Sequence, residues 1–169
     1  MKAQPLQYPF VQVPRYLARK YGLNGTSDKE VAEVDEALEG VEALRQKYLT
    51  LVYQDKLADE AKAKYWGLHG DPANAESRYA AGAHLSYLSR LLKRNAAGGG
   101  KAFVGSGLTV ADLAVFDIVD LHARIFGDEL KAAYPDLLAH HAYIAGLPHI
   151  KEYLASPKRL PVINGNKMG

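Results

Sequence analysis

Leu108-Thr109-Val110-Ala111-Asp112-Leu113-Ala114-Val115-Phe116-Asp117-Ile118-Val119-Asp120-Leu121 is the stretch whose reading decides the fold. Thr109 and Asp112 stand three residues apart, the spacing of a capping box. The hydroxyl accepts from an orphaned backbone N–H of the first turn, and the carboxylate reaches back to the capping residue. That carboxylate also sits at the positive end of the helix dipole. Leu108 before the cap and Leu113 after it have the spacing of a hydrophobic staple. Beyond the cap, Val110, Leu113, Ala114, Val115, Phe116, Ile118, Val119 and Leu121 leave almost no polar face, and a helix apolar nearly all round is a buried one. The stretch predicts a fully buried central helix over 110–121, with other helices packed around it.

The flanking sequence supplies those helices. Upstream, Pro14 to Gly22 reads as a short helix, with proline in its first turn, Arg19 and Lys20 in its last, and Gly22 suited to the left-handed position beyond. Gly22 to Gly25 is a turn or linker. Ser27-Asp28-Lys29-Glu30 is a second capping box, opening a long helix with Val31, Val34, Leu38, Val41, Leu44, Tyr48 and Leu51 on its apolar stripe. Asp55 to Lys64 is still compatible with helix, and Gly70-Asp71-Pro72 ends that element. A third helical pattern runs from about Ala73 to Arg94, and Ala96 to Gly100 forms a loop. Downstream, Pro135 opens a helix to about Gly146 and Pro148 another to Leu154, each proline standing where a missing N–H costs little. No internal repeat and no alternating strand pattern is found, so the expected fold class is all-α, a helical bundle of about seven helices.

Composition narrows the function. A chain of 169 residues is long enough for one real core. A net charge of +2, with no Lys/Arg cluster interleaved with aromatics, argues against nucleic acid. With no cysteine there is no disulfide framework, thiolate nucleophile or cysteine metal site. Met1 to Pro5 has no apolar run behind it, so no signal peptide is read. The longest apolar stretch is broken by Asp112, Asp117 and Asp120, which excludes a membrane span there. These features lead to the expectation of a soluble, cytoplasmic protein.

Gly98-Gly99-Gly100-Lys101 suggests a phosphate loop. Ala102 stands where Ser or Thr should follow the lysine, and Asn95 where the earlier glycine belongs. The six histidines show no metal-ligand spacing, and His140-His141 are expected at solvent or a helix end. No serine has a nucleophile-elbow context.

Four strings carry a family resemblance: Arg15 to Leu23, Val41 to Tyr48, Thr109 to Leu121, and Tyr153 to Pro157 together with Leu160 to Asn166. In order and separation they resemble a cytosolic glutathione transferase of the mu/pi/sigma group, closest to the pi class. In that family a thioredoxin-like domain binds glutathione and an all-α domain supplies most of the electrophile pocket. The resemblance implies an N-terminal arm and remnant last helix of a thioredoxin-like domain over 1–25, followed by a glutathione-transferase C-terminal-like helical domain over 26–169. Tyr53 falls where the pi class places a pocket tyrosine, and a half-buried structural tyrosine is the competing reading. Asn164 and Gly165 fall on the loop lining the same pocket. Glu39 takes the place of an Asp that reaches across a dimer toward the partner's glutathione amino group, one methylene further out.

The departures carry as much weight. Most of the thioredoxin-like domain, the thiol-activating tyrosine and the Gln/Glu-Ser pair for the γ-glutamyl group have no counterpart in this sequence, so no catalytic residue is assigned. Family catalysis needs a hydroxyl donor at the thiolate. The leading expectation is a binding or protein-interaction module without a cofactor. It would engage a protein partner, or itself, through a face around Tyr16, Leu17, Tyr21, Tyr53 and residues 160–166, with no nucleic acid and no membrane. Residues 1–13, with Leu6, Tyr8, Phe10 and Val11, are the alternative cover for that face. The alternative function is an active glutathione transferase, with glutathione as co-substrate and the missing domain supplied by a longer product or a partner.

Overall fold

A computed structural model describes residues 12–74 and 83–169 of the chain. Eight α-helices run in order among them: α1 (Gln12–Tyr21), α2 (Asp28–Leu49), α3 (Asp59–His69), α4 (His84–Arg94), α5 (Val110–Ile125), α6 (Gly127–Ala133), α7 (Pro135–Ala145) and α8 (Pro148–Ala155). There is no strand among the described residues, so the all-α class stands. The arm over 1–11 and residues 75–82 lie outside the described part.

The central helix forms for the reason its sequence suggests. The Asp112 carboxylate accepts the Thr109 N–H at 2.7 Å and the Thr109 hydroxyl at 2.9 Å, closing the N-terminal turn of α5. It does more than cap. The Phe103 N–H reaches it at 2.7 Å and His140 Nε2 at 3.1 Å, which ties the preceding loop and α7 to one buried carboxylate. The expectation that His140 faces solvent or a helix end is therefore wrong: His140 is fully buried, because α7 lays it against Asp112 and the edge of the Phe103 ring. His141 does sit nearer the surface, stacked on Phe116 at 4.5 Å and bonded to Asp120.

Full burial of 110–121 also needs correction. Val110, Ala111, Asp112, Val115, Ile118, Val119 and Leu121 are buried against α2 and α7, whereas Leu113, Ala114 and Phe116 are only partly so and Asp117 is exposed. Leu108 remains 38% exposed. Leu113 and Ala114 look into a groove that no described element fills.

Around α5, α2 contributes Val34, Ala37, Leu38, Val41, Leu44 and Tyr48, and α4 contributes Leu85, Leu88, Leu91 and Leu92. Ser27 caps α2, its Oγ accepting the Glu30 N–H at 3.3 Å. Glu30 reaches back one residue further than a standard box, to the N–H and hydroxyl of Thr26. The predicted continuity past Leu51 fails. A π-turn over Thr50–Gln54 is followed by Lys56 and Leu57 at φ +52° and +54°, and α3 starts afresh at Asp59. Neither glycine nor proline marks this break; the Leu57 N–H closes it on the Leu51 carbonyl at 3.1 Å. Of the helix expected from about Ala73 to Arg94, α4 supplies His84–Arg94; Pro72–Asn74 is a 3-10 turn, Ala83 is non-helical at ψ 90°, and the expectation for 75–82 falls outside the described residues.

An aromatic column joins α3 to α5, and Tyr48 of α2 packs on His122 at 5.6 Å. Trp66 and Tyr65 pack on Phe126, with Tyr65 and Phe126 stacked at 5.6 Å. His122 Nδ1–H donates to the Ile118 carbonyl at 2.6 Å, which leaves Nε2 to accept the Tyr65 hydroxyl at 2.8 Å. Burial holds His122 down at about 4 and pushes the Tyr65 hydroxyl far up, so both are neutral across the physiological range.

Candidate functional site

An apolar groove lies beside α5. It is a cavity of about 560 Å³ between Leu17 and Tyr21 of α1, Leu38 and Val41 of α2, and Leu113 and Ala114 of α5. Its depth comes from the linker: the Val110 N–H donates to the Leu23 carbonyl at 2.9 Å, pinning the end of α1 near the start of α5. Leu17 is 42% and Tyr21 65% exposed on its rim. One end is charged. Arg45 meets Asp117 at 2.8 Å and Glu42 at 3.9 Å, two carboxylates against one guanidinium. The groove thus offers apolar walls with an acidic end, suited to an apolar body carrying a positive tip.

A second locus forms where the π-turn meets the C-terminal loop. The Tyr53 hydroxyl accepts the Gly165 N–H at 2.9 Å, and the Val52 carbonyl accepts Asn166 Nδ2 at 2.8 Å. Asn164 donates from Nδ2 to the Tyr48 hydroxyl at 2.8 Å and to the Met168 carbonyl at 2.6 Å. The residues singled out in sequence, Tyr53, Asn164 and Gly165, are thereby brought together. They are not equivalent. Asn164 is buried and its amide is committed to holding the loop, while Tyr53 stays 46% exposed and Gly165 lies at the surface. Burial raises the Tyr48 hydroxyl above the ordinary tyrosine range, so it remains a neutral partner for Asn164.

Glu39 lies apart from this locus. It accepts from Arg15 Nη2 at 2.8 Å, and Arg15 Nε binds Asp35 at 2.8 Å, so Glu39 fastens α1 to α2. Among the described residues no group of His, Cys, Asp and Glu could hold a metal ion. No described helix is long and apolar enough to cross a membrane.

Sequence reasoning missed the Glu42–Arg45–Asp117 end of the groove. The signal was available: Asp117 follows Leu113 and Ala114 by one helical turn and sets a charge at the end of their apolar stripe. Arg15, read only as part of a resemblance string, is the residue that fixes the groove's α1 wall.

Residues 42–157 match the family model described as glutathione S-transferase, C-terminal domain. Glutathione S-transferase P 1 of Xenopus laevis is 34% identical over 152 residues, covering 90% of this chain and 64% of that protein. Glutathione S-transferase P of Homo sapiens is 35% identical over 158 residues, covering 90% and 65%. The pi-class glutathione S-transferase of Onchocerca volvulus superposes with a TM-score of 0.74 at 28% identity, over 93% of this chain and 69% of that one. The sigma-class enzyme of Fasciola hepatica superposes at 0.70 with 23% identity, a likeness of fold. The chain spans slightly less than two thirds of the length of the curated relatives it matches. It belongs to the glutathione transferase family, with the C-terminal domain of that family over residues 42–157.

Proposed function

We propose that this chain is a binding module whose groove between α1, α2 and α5 takes a helical segment of a protein partner. The observation that carries the reading is the apolar groove, open among the described residues, with Leu17, Leu113 and Ala114 accessible on its walls. Apolar surface left in water forfeits roughly 25 cal/mol per Å², and contiguous patches of it commonly mark contact sites. An amphipathic helix laid in such a groove buries its apolar stripe. Glu42 and Asp117 outnumber Arg45 and favour a Lys or Arg at that end of the partner. The relatives carry about a third of their length outside the matched region, room for the kind of segment that would sit here. Self-association through the same face is the other occupant.

The second reading is glutathione conjugation, the activity in the relatives' names. The half-exposed Tyr53 hydroxyl beside Gly165 favours it. Glutathione would then be a co-substrate, its thiol activated by a hydroxyl from a longer product or a partner, and Glu39 would have to leave Arg15 to reach an amino group. The purified chain, assayed with glutathione and a generic aromatic electrophile, separates the two. We expect the uncatalysed rate and no retention on glutathione-agarose. Turnover clearly above that rate, with retention, would promote the second reading.

A further inference from the structure

Ser156-Pro157-Lys158-Arg159 follows the last helix, and the binding reading leaves it unused. Ser156 is the C-cap of α8, at φ −85° and ψ 154°, the extended geometry that a following proline favours. Its hydroxyl donates to the Tyr153 carbonyl at 2.8 Å and accepts the Lys158 N–H at 3.3 Å, two local bonds only. No residue of the eight-residue α8 is buried, so its last turn opens at little cost. Pro157 and Lys158 are exposed. Arg159 donates to Asp120 of α5 at 2.9 Å and anchors the start of the segment that runs on to Asn164, Gly165 and Asn166.

We propose that Ser156 is a phosphorylation site for a kinase that reads Ser-Pro with a basic residue three positions on, and that the phosphate draws Arg159 off Asp120 and loosens the C-terminal loop at its start, leaving it held by Tyr48, Tyr53 and Val52. The Ser156 oxygen attacks the γ-phosphorus of a nucleoside triphosphate. The bond from that phosphorus to the bridging oxygen breaks, the nucleoside diphosphate leaves, and the hydroxyl proton passes to the kinase's base. The product carries close to two negative charges and three acceptor oxygens at a helix C-terminus, where the dipole disfavours them. Arg159 and Lys158 are the adjacent cations, and a guanidinium binds phosphate in a two-pronged fashion. Asp120 loses little in the exchange, since Arg124 at 3.2 Å and His141 at 3.3 Å still pair with it.

The test uses the full chain, magnesium–ATP and a purified proline-directed serine/threonine kinase, read by phosphosite mass spectrometry and amide hydrogen exchange. The expected product carries phosphate on Ser156, and Ser156→Ala and Pro157→Ala abolish that modification. Exchange over 160–166 should become about two- to fivefold faster on phosphorylation. In Arg159→Gln, phosphorylation should leave that exchange unaltered, because the residue it captures is gone. A folded chain that stays unmodified at Ser156 overturns the site. So does a Pro157→Ala chain modified as readily as the native one. A phosphorylated native chain with unchanged exchange overturns the loosening of the loop.

Discussion

Replacing Asp112 with alanine separates a helix cap from a structural hub. A cap alone is worth about 0.5–2 kcal/mol, and that is all the Thr109-x-x-Asp pattern implies. In the folded chain the same carboxylate also accepts the Phe103 N–H at 2.7 Å and His140 Nε2 at 3.1 Å, with Asp112 and His140 both fully buried. Alanine strands both donors, and each orphaned buried donor costs about 1–3 kcal/mol, so the total comes to about 4 kcal/mol once partial relaxation is allowed. Thr109→Ala, which removes only the hydroxyl, should cost about 1 kcal/mol. Urea unfolding followed by far-ultraviolet dichroism reads both, and with a slope of about 2 kcal/mol/M the midpoint should fall by about 2 M for Asp112→Ala. A loss below about 2 kcal/mol, no larger than that of Thr109→Ala, would refute the hub and leave only the cap.

Three further outcomes follow from particular residues. The His141 hydrogen bond, reinforced by Arg124 and Arg159, pulls Asp120 down to about 2. A depressed folded pKa stabilises above the unfolded value, so this contribution is full above about pH 4 and is lost as pH falls toward 2; Asp120→Asn should flatten the acid limb of a stability–pH curve. Burial holds His122 and His69 neutral, both at about 4. Protonation therefore favours the unfolded chain, stability declines from about pH 6.5 down to 4, and His122→Gln should reduce that slope in denaturant titrations. Lys56 is exposed at φ +52°, so Lys56→Gly should stabilise by about 1 kcal/mol in the same titration, and a loss would show the backbone there to be unstrained.

The parts of the fold written in local chemistry were legible in the sequence. Thr109 with Asp112, Ser27 with Glu30, and the prolines at 135 and 148 each mark a helix start that the structure repeats within a residue or two. The break at 50–57 was not legible. It is made by a π-turn and two left-handed residues, Lys56 and Leu57, that carry no side-chain signature and are held in place by packing of Leu51 and Leu57. The short α6 was missed because seven residues give no measurable period; Phe126 and Leu130 anchor it from either side. At the C-terminal locus, resemblance picked out Tyr53, Asn164 and Gly165, and it is the fold that makes Asn164 a buried strut while leaving Tyr53 accessible. The groove eluded the pattern because an apolar helix face reads the same whether another element covers it or not.

The central claim, that the groove is a docking face, is tested most directly by sedimentation of the purified chain over a range of concentrations, with amide hydrogen exchange on the same sample. The account predicts that in the absence of a partner the chain self-associates reversibly as concentration rises, and that Ala114→Glu, which sets a charge on the groove wall, keeps it monomeric. A chain that stays monomeric at every concentration, with the amides of residues 1–13 strongly protected, would contradict it, because the arm would then have sealed the groove and left nothing to dock.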